Sequence, residues 1–293
     1  MLSCLAILAL MPMMLTSAEL KIDHVTAAGD NLKRLQDCLR AVGIPSEYGG
    51  PHSNRATEMA ITSFPDGSYL ELIAPQSQAD PDALARHTWS KYMRDNAGPC
   101  AWAVRVSDIA AELARLRGAG IPAKDPNRGG RVRSDGVKLE WETAEVGAEG
   151  LGVFFPFLIR DFTPREKRAY PSGKPSTKDF TGITRVVIAV RDLKEAGERY
   201  RKAFDLPQPV RQIDKAFGAR LALLGGTPVI LATPLTLDSW LAERLDKFGE
   251  APCAFVLGAR RPDRYKAASK TVWFSRDIFW FDTEKAGWRL GFE

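Results

Sequence analysis

Histidine and cysteine are both scarce in this chain, at 3 and 4 of 293 residues. No two cysteines form a CxxC pair. Cys4 falls in the first eighteen residues, which leaves Cys38, Cys100 and Cys253, an odd set without close spacing. That excludes a disulfide framework, a zinc ribbon and a dithiol redox motif, and Cys38 reads as a small core residue of an amphipathic helix. Glycine-rich phosphate loops with a following lysine, nucleophile elbows and dinucleotide fingerprints are missing too, so no nucleotide cofactor is expected. Net charge is only +5, and the densest basic patches, "PNRGGRVR" and "TPREKRAYPSGK", are not interleaved with stacking aromatics. Nucleic acid is not an expected partner.

What is present is the composition of a folded globular protein, 45% hydrophobic and 26% charged, in a length that suits two domains or one large one. The opening "MLSCLAILALMPMMLTSA" carries no charged side chain, and Thr16 and Ala18 stand where a signal peptidase inspects small residues. Residues 1–18 are therefore expected to be a signal peptide of an exported, periplasmic protein. Without the usual Lys/Arg start, a mis-assigned start on a cytoplasmic protein is the alternative. Pro12 and the shortness of the run argue against a spanning helix, which needs ~20 apolar residues, so no membrane span is expected after processing.

Internal repetition organises the rest. "GPCAWAVRV" (Gly98 to Val106) recurs as "APCAFVLGA" (Ala251 to Ala259), and "KIDHVTAAGDNLKRL" is echoed in the same order, at nearly the same separation, by "GITRVVIAVRDLKEA". Each half divides again. The strand "LKIDHVTAA" precedes a helix with Leu32, Leu35, Cys38 and Leu39 at helical spacing, stopped by Gly43. A hairpin "ATEMAITSF-PDG-SYLELIAP" follows. The same order of strand, helix and strands returns from Cys100, from Ile183 and, in shortened form, from Cys253. The reading is α+β, four βαβββ modules in two pairs, with residues 19–160 as the first pair, a charge- and Pro-rich linker at 161–180, and 181–293 as the second pair.

In "YLELIAP", strand alternation puts Tyr69, Glu71 and Ile73 on one face and Leu70 and Leu72 on the other. A buried Glu71 needs a partner, because an unpaired buried charge costs several kcal/mol or more. Arg131 and Arg133, two apart in "GGRVRSDG", share a strand face and suit either an anion clamp or a solvated edge strand. Glu140 and Glu142 share a face that is either solvent or cleft. His87 lies in a charged helical pattern and is expected at the surface. Trp102, Phe155 and Phe157 read as core, and Asp23, adjacent to His24, is expected to point to the opposite face.

The four-module plan, with "IDHVTAAGDNL" opening and "PDGSYLELIAP" closing the first module, resembles the vicinal oxygen chelate superfamily of glyoxalase I, bleomycin-resistance proteins and extradiol dioxygenases. "EYGGPHSNRATEMAITSFPDGSYLELIAP", "SDGVKLEWE" and "FFPFLIRDF" resemble its glyoxalase-like domain proteins, over Leu20 to Glu293. The resemblance implies that each pair wraps into an open mixed-sheet barrel around a cleft, with first and fourth strands adjacent. It places His24 and Glu71 inside as catalytic residues, joined directly or through a divalent metal (Zn, Mn, Fe or Ni), and makes His52 an auxiliary ligand. Tyr69, Trp102, Arg131 and Arg133 would line the substrate side together with His52. Aligned by their strand-to-helix junctions, Trp102 takes the His24 position in the second module. Arg185, Ile230 and Phe255 take the positions of His24, Glu71 and Trp102 in the second half, which is therefore expected to be degenerate. The function implied is a lyase, isomerase or oxygenase on a small oxygenated molecule, metal-assisted or by His/Glu acid–base chemistry. The alternative is a non-catalytic protein that sequesters a small molecule. A homodimer is compatible with either.

Overall fold

The computed structural model describes residues 20–133 and 135–293. The proposed signal peptide lies outside the described residues. No helix among the described residues is long and apolar enough to cross a membrane.

The first half contains β1 (Ile22–Ala28), α1 (Leu32–Ala41), β2 (Glu47–Pro51), β3 (Thr57–Ser63), β4 (Tyr69–Pro75), α2 (Pro81–Arg86), α3 (Ser90–Arg94), β5 (Gly98–Arg105), α4 (Ile109–Gly118), β6 (Asn127–Val132), β7 (Lys138–Ala144) and β8 (Phe157–Asp161). After α5 (Arg165–Ala169) come β9 (Phe180–Ala189), α6 (Leu193–Phe204), β10 (Val210–Asp214), β11 (Ala219–Leu223), β12 (Val229–Pro234), α7 (Trp240–Phe248), β13 (Ala251–Ala259), β14 (Ser269–Trp273), β15 (Arg276–Trp280), α8 (Thr283–Ala286) and β16 (Arg289–Phe292).

The strands form two eight-stranded sheets with one plan, β2-β3-β4-β1-β5-β8-β7-β6 and β10-β11-β12-β9-β13-β16-β15-β14. Each curls into a nearly closed barrel. In the first, β1 lies parallel to β4 and antiparallel to β5, which is parallel to β8. This is the α+β architecture of two paired modules that the repeats implied. Local chemistry accounts for the elements. Asn31 caps α1 by accepting from Arg34 N, the helix buries Leu32, Leu35 and Leu39, and Gly43 at φ 82° ends it in a left-handed conformation that favours glycine. The Pro65-Asp66-Gly67 turn joins β3 to β4, with Asp66 accepting from the Ser68 backbone at 2.8 Å.

Two boundaries differ from the sequence pattern. "EYGGP" is a strand, β2, so His52 is fixed directly beyond its end. "GVFFPFLI" becomes strand only from Phe157, because Gly150 and Gly152 at φ 110° and 71° turn the chain before it. A Cβ on Gly152 would stand 2.7 Å from the Trp102 carbonyl oxygen, so the approach requires glycine. Phe154 and Phe155 leave the sheet and join Trp102, Tyr200 and Phe204 in an apolar cluster that spans both halves, where Tyr200 donates to the Phe154 carbonyl.

Candidate active site

Alternation along β4 sends Leu70, Leu72 and Ala74 into the helix-side core and Tyr69, Glu71 and Ile73 into a cavity of about 240 Å³ inside the first barrel. All three histidines of the chain, His24, His52 and His87, line that cavity. The β1–β4 register pairs Thr26 with Glu71. Thr26 Oγ1 donates to Glu71 Oε2 at 3.0 Å, and His24 Nε2 stands 3.8 Å from the same oxygen. His52 Nε2 stands 3.6 Å from the other, Oε1, while its Nδ1 meets Thr57 Oγ1 at 2.8 Å. Glu71 therefore sits between two imidazoles, and neither is in direct hydrogen-bond contact with it.

Asp23 does not turn away from His24. A β-bulge between Ile22 and His24 breaks the alternation of β1, and Asp23 Oδ1 lies 2.6 Å from His24 Nδ1. Asp23 is fully buried. Arg168 donates to both its oxygens at 3.1 and 2.9 Å, and Arg165 donates to Oδ2. Burial alone would raise the Asp23 carboxyl, but Arg168, the His24 hydrogen bond and Arg165 hold it far below the usual carboxylate range. An ionised Asp23 only accepts, so His24 Nδ1 carries a proton, and in the neutral ring Nε2 is then the lone pair, turned toward Glu71. The ring is held on both sides. Tyr69 stacks on it (centroids 4.8 Å apart, planes 2° apart) and Phe157 meets it edge-on at 5.3 Å. Arg168 Nη1 in turn donates to Tyr69 Oη at 2.6 Å.

The segment 161–180, read as a linker, thus supplies the support of the site. Asp161, Arg165 and Arg168 follow helical spacing. Asp161 binds both arginines, and Arg165 also clamps the Gly67 carbonyl of the hairpin turn. Arg105 Nε also stands 3.9 Å from Asp23 Oδ2, so three arginines face Asp23 and Asp161 behind His24.

His87 is not a surface residue. It lines the cavity, and its Nδ1 accepts the Trp89 backbone N–H at 3.2 Å, so a neutral ring carries its proton on Nε2 as a donor. Burial, with His52 second, lowers its pKa to about 4, and burial lowers that of His52 as well. For His87 the unfolded chain binds a proton near 6.5 and the native state only near 4. In that window the unfolded state holds more protons, so stability falls as pH falls. His87→Gln is expected to remove a loss of up to roughly 3 kcal/mol between these pH values, and urea unfolding of both proteins across the window checks it.

Two expected liners are placed differently. Trp102 pairs with Val25, while His24 pairs with Ala103. The alignment that gave Trp102 the His24 position is off by one residue, which reverses the face, and Trp102 is fully buried in the helix-side core. Arg133 lies outside the cavity. It binds Asp135 and the carbonyls of Lys167, Tyr170 and Pro171, tying the β6–β7 hairpin to the segment before the second sheet. Arg131, by contrast, is only 6% exposed and lines the cavity. Phe157 also lines it, whereas Glu140 points to solvent.

In the second barrel the register puts Arg185 and Ile230 where His24 and Glu71 stand. Trp273, Ile278 and Leu223 fill the interior there, and a space of only about 30 Å³ remains.

A divalent metal would need its donors about 2.0–2.2 Å from one point. Glu71 instead offers a different oxygen to each histidine, and among the described residues no three His, Cys, Asp or Glu side chains converge to hold an ion. His24, Glu71 and His52 surround one cavity but are not converged as a three-donor site.

Paired modules with adjacent first and fourth strands and an inward His and Glu define a protein of the vicinal oxygen chelate class. The glyoxalase-like domain profile matches residues 22–204, and the chain belongs to that family. No curated protein matches it in sequence. Among solved structures, a hypothetical protein from Staphylococcus aureus is similar over 93% of this chain and 98% of its own, at 16% identity and a TM-score of 0.63. That is a likeness of fold. Methylmalonyl-CoA epimerase from Mycobacterium tuberculosis matches 40% of this chain and 89% of its own, at 23% identity and a TM-score of 0.36.

Proposed function

We propose that the protein is an acid–base enzyme, an isomerase or lyase, that moves a proton at a carbon next to a carbonyl in a small oxygenated organic molecule. The observation that carries this is the Asp23–His24–Glu71 arrangement. It presents an imidazole lone pair and a carboxylate 3.8 Å apart at the wall of one cavity. Glu71 removes the proton from carbon, and His24 Nε2 shares it and returns it to the substrate or leaving group. Asp23 does not take up the proton. It orients His24 and favours the imidazolium when it forms. The charge that develops on the carbonyl oxygen is met by the Nε2–H of His87, a neutral donor that needs no proton uptake. The carbon–hydrogen bond broken, the Glu71 O–H bond formed and the enolate left behind conserve the net charge of the cavity. No step is routed through a metal.

The test is solvent-deuterium incorporation at carbon, followed by NMR over a panel of small 2-oxo and 2-hydroxy carbonyl compounds. Exchange that survives chelation and is lost in Glu71→Gln is the expected result. Exchange lost on chelation and restored by Zn, Mn, Fe or Ni would overturn the metal-free route, and saturable binding with no exchange anywhere in the panel would make the protein a sequestering one.

A further inference from the structure

We infer that the cavity takes its ligand as a monocarboxylate with an apolar, ring-sized body, and that Arg131 anchors the carboxylate. The inference rests on the proposed function only in placing the substrate in the same cavity.

Arg131 and Arg168 are the two guanidiniums that line the space, and they are treated very differently. Arg168 is matched by Asp161, Asp23 and Tyr69. Arg131 donates from Nη1 to the Gly49 carbonyl, while its Nη2 is buried without a hydrogen-bond partner among the described residues. It forms no ion pair with any described carboxylate. Glu71, which shares the cavity, is the carboxylate whose charge reaches Arg131, but without contact, and its own close partners are His24 and His52. A guanidinium removed from water without a counter-charge in contact is costly, and burial lowers its pKa despite the more distant Glu71. A ligand carboxylate would supply the missing charge and two acceptors for the guanidinium fork.

The position of Arg131 supports the same reading. The sheet edges β2 and β6 approach each other where Arg131 reaches Gly49 and where Ser53 donates to the Gly130 carbonyl at 3.1 Å. Arg131 therefore stands where the curled sheet nearly closes. The remaining wall is mostly apolar, with Ile73, Trp89, Leu151, Phe157 and Ile159, although Ser53, Asn54 and Thr143 also reach it. An inorganic anion would leave that wall unfilled. A dianion would set a second negative charge against Glu71, which makes a single carboxylate on an apolar body the better match.

Isothermal titration of the intact protein with phenylacetate and its neutral counterpart phenylacetamide tests this. The native protein is expected to bind phenylacetate at least tenfold more tightly. Arg131→Gln should equalise the two while still binding phenylacetamide, which shows that it is folded, and His24→Ala should keep the preference. Equal binding of the two compounds, no saturable binding of either, competition by inorganic phosphate as strong as by phenylacetate, or a preference that persists in Arg131→Gln would overturn the inference. Failure of the proton-transfer proposal would show separately, as absent deuterium exchange with the carboxylate preference intact.

Discussion

Asp23→Ala is expected to destabilise the protein by about 3–5 kcal/mol, the cost of leaving buried charge without its partner. Asp23 is completely buried and pairs with both Arg168 and Arg165, so its removal leaves Asp161 alone to face two guanidiniums and releases His24 Nδ1. Charge and not volume sets the size of the effect, so Asp23→Asn should lose most of it as well. The pH dependence has a definite sign. The folded carboxyl lies far below its ordinary value of 3.8, so its contribution is complete above that pH and is lost progressively as pH falls below it. Urea unfolding at neutral pH and at about pH 3 measures both, and the variant should show the smaller acid loss. A variant within about 0.5 kcal/mol of the native protein, the range of ordinary surface changes, would mean that the cluster does not hold the site.

Glu71→Gln is expected to lower deuterium exchange at carbon by about 10²–10⁴-fold, the usual contribution of a positioned general base. The amide keeps the shape and still accepts from Thr26, so the fold and the cavity should be preserved. The loss should fall on turnover, with little change in the concentration of half-saturation. A raised concentration of half-saturation with turnover unchanged would place Glu71 in ground-state binding instead. Arg185 and Ile230, at the corresponding places of the second barrel, supply a control. Ile230→Glu in an otherwise native protein should add no exchange, because Arg185 replaces the imidazole and the interior there is already filled.

The sequence made the architecture legible because duplication writes the same order of elements four times, and because a period-two pattern such as "YLELIAP" assigns faces without further information. It also brought His24, His52 and Glu71 to notice, three side chains that the structure sets around one cavity. The misses have physical causes. The bulge at Ile22–His24 overrides alternation, so Asp23 was assigned to the wrong face. A slip of one residue between β1 and β5 reversed Trp102. Arg165 and Arg168 sit in a charged, Pro-rich stretch that resembles a linker, although their spacing from Asp161 places all three on one helical face. His87 looked solvated because its helical neighbours are charged, and only the third dimension shows the cavity beside it. Arg131 could be read as clamp or edge residue, and burial is what separates those choices.

The central claim is that an ionised Asp23 fixes His24 with its unprotonated Nε2 facing Glu71. Nitrogen-15 NMR of the imidazoles measures this directly, and with three histidines in the chain each ring is assignable by substitution. At a pH where the rings are neutral, His24 should show a protonated Nδ1 and a lone-pair Nε2, with His87 the opposite tautomer. A His24 ring protonated on Nε2, or unchanged in Asp23→Asn, would contradict the arrangement on which the proposed chemistry depends.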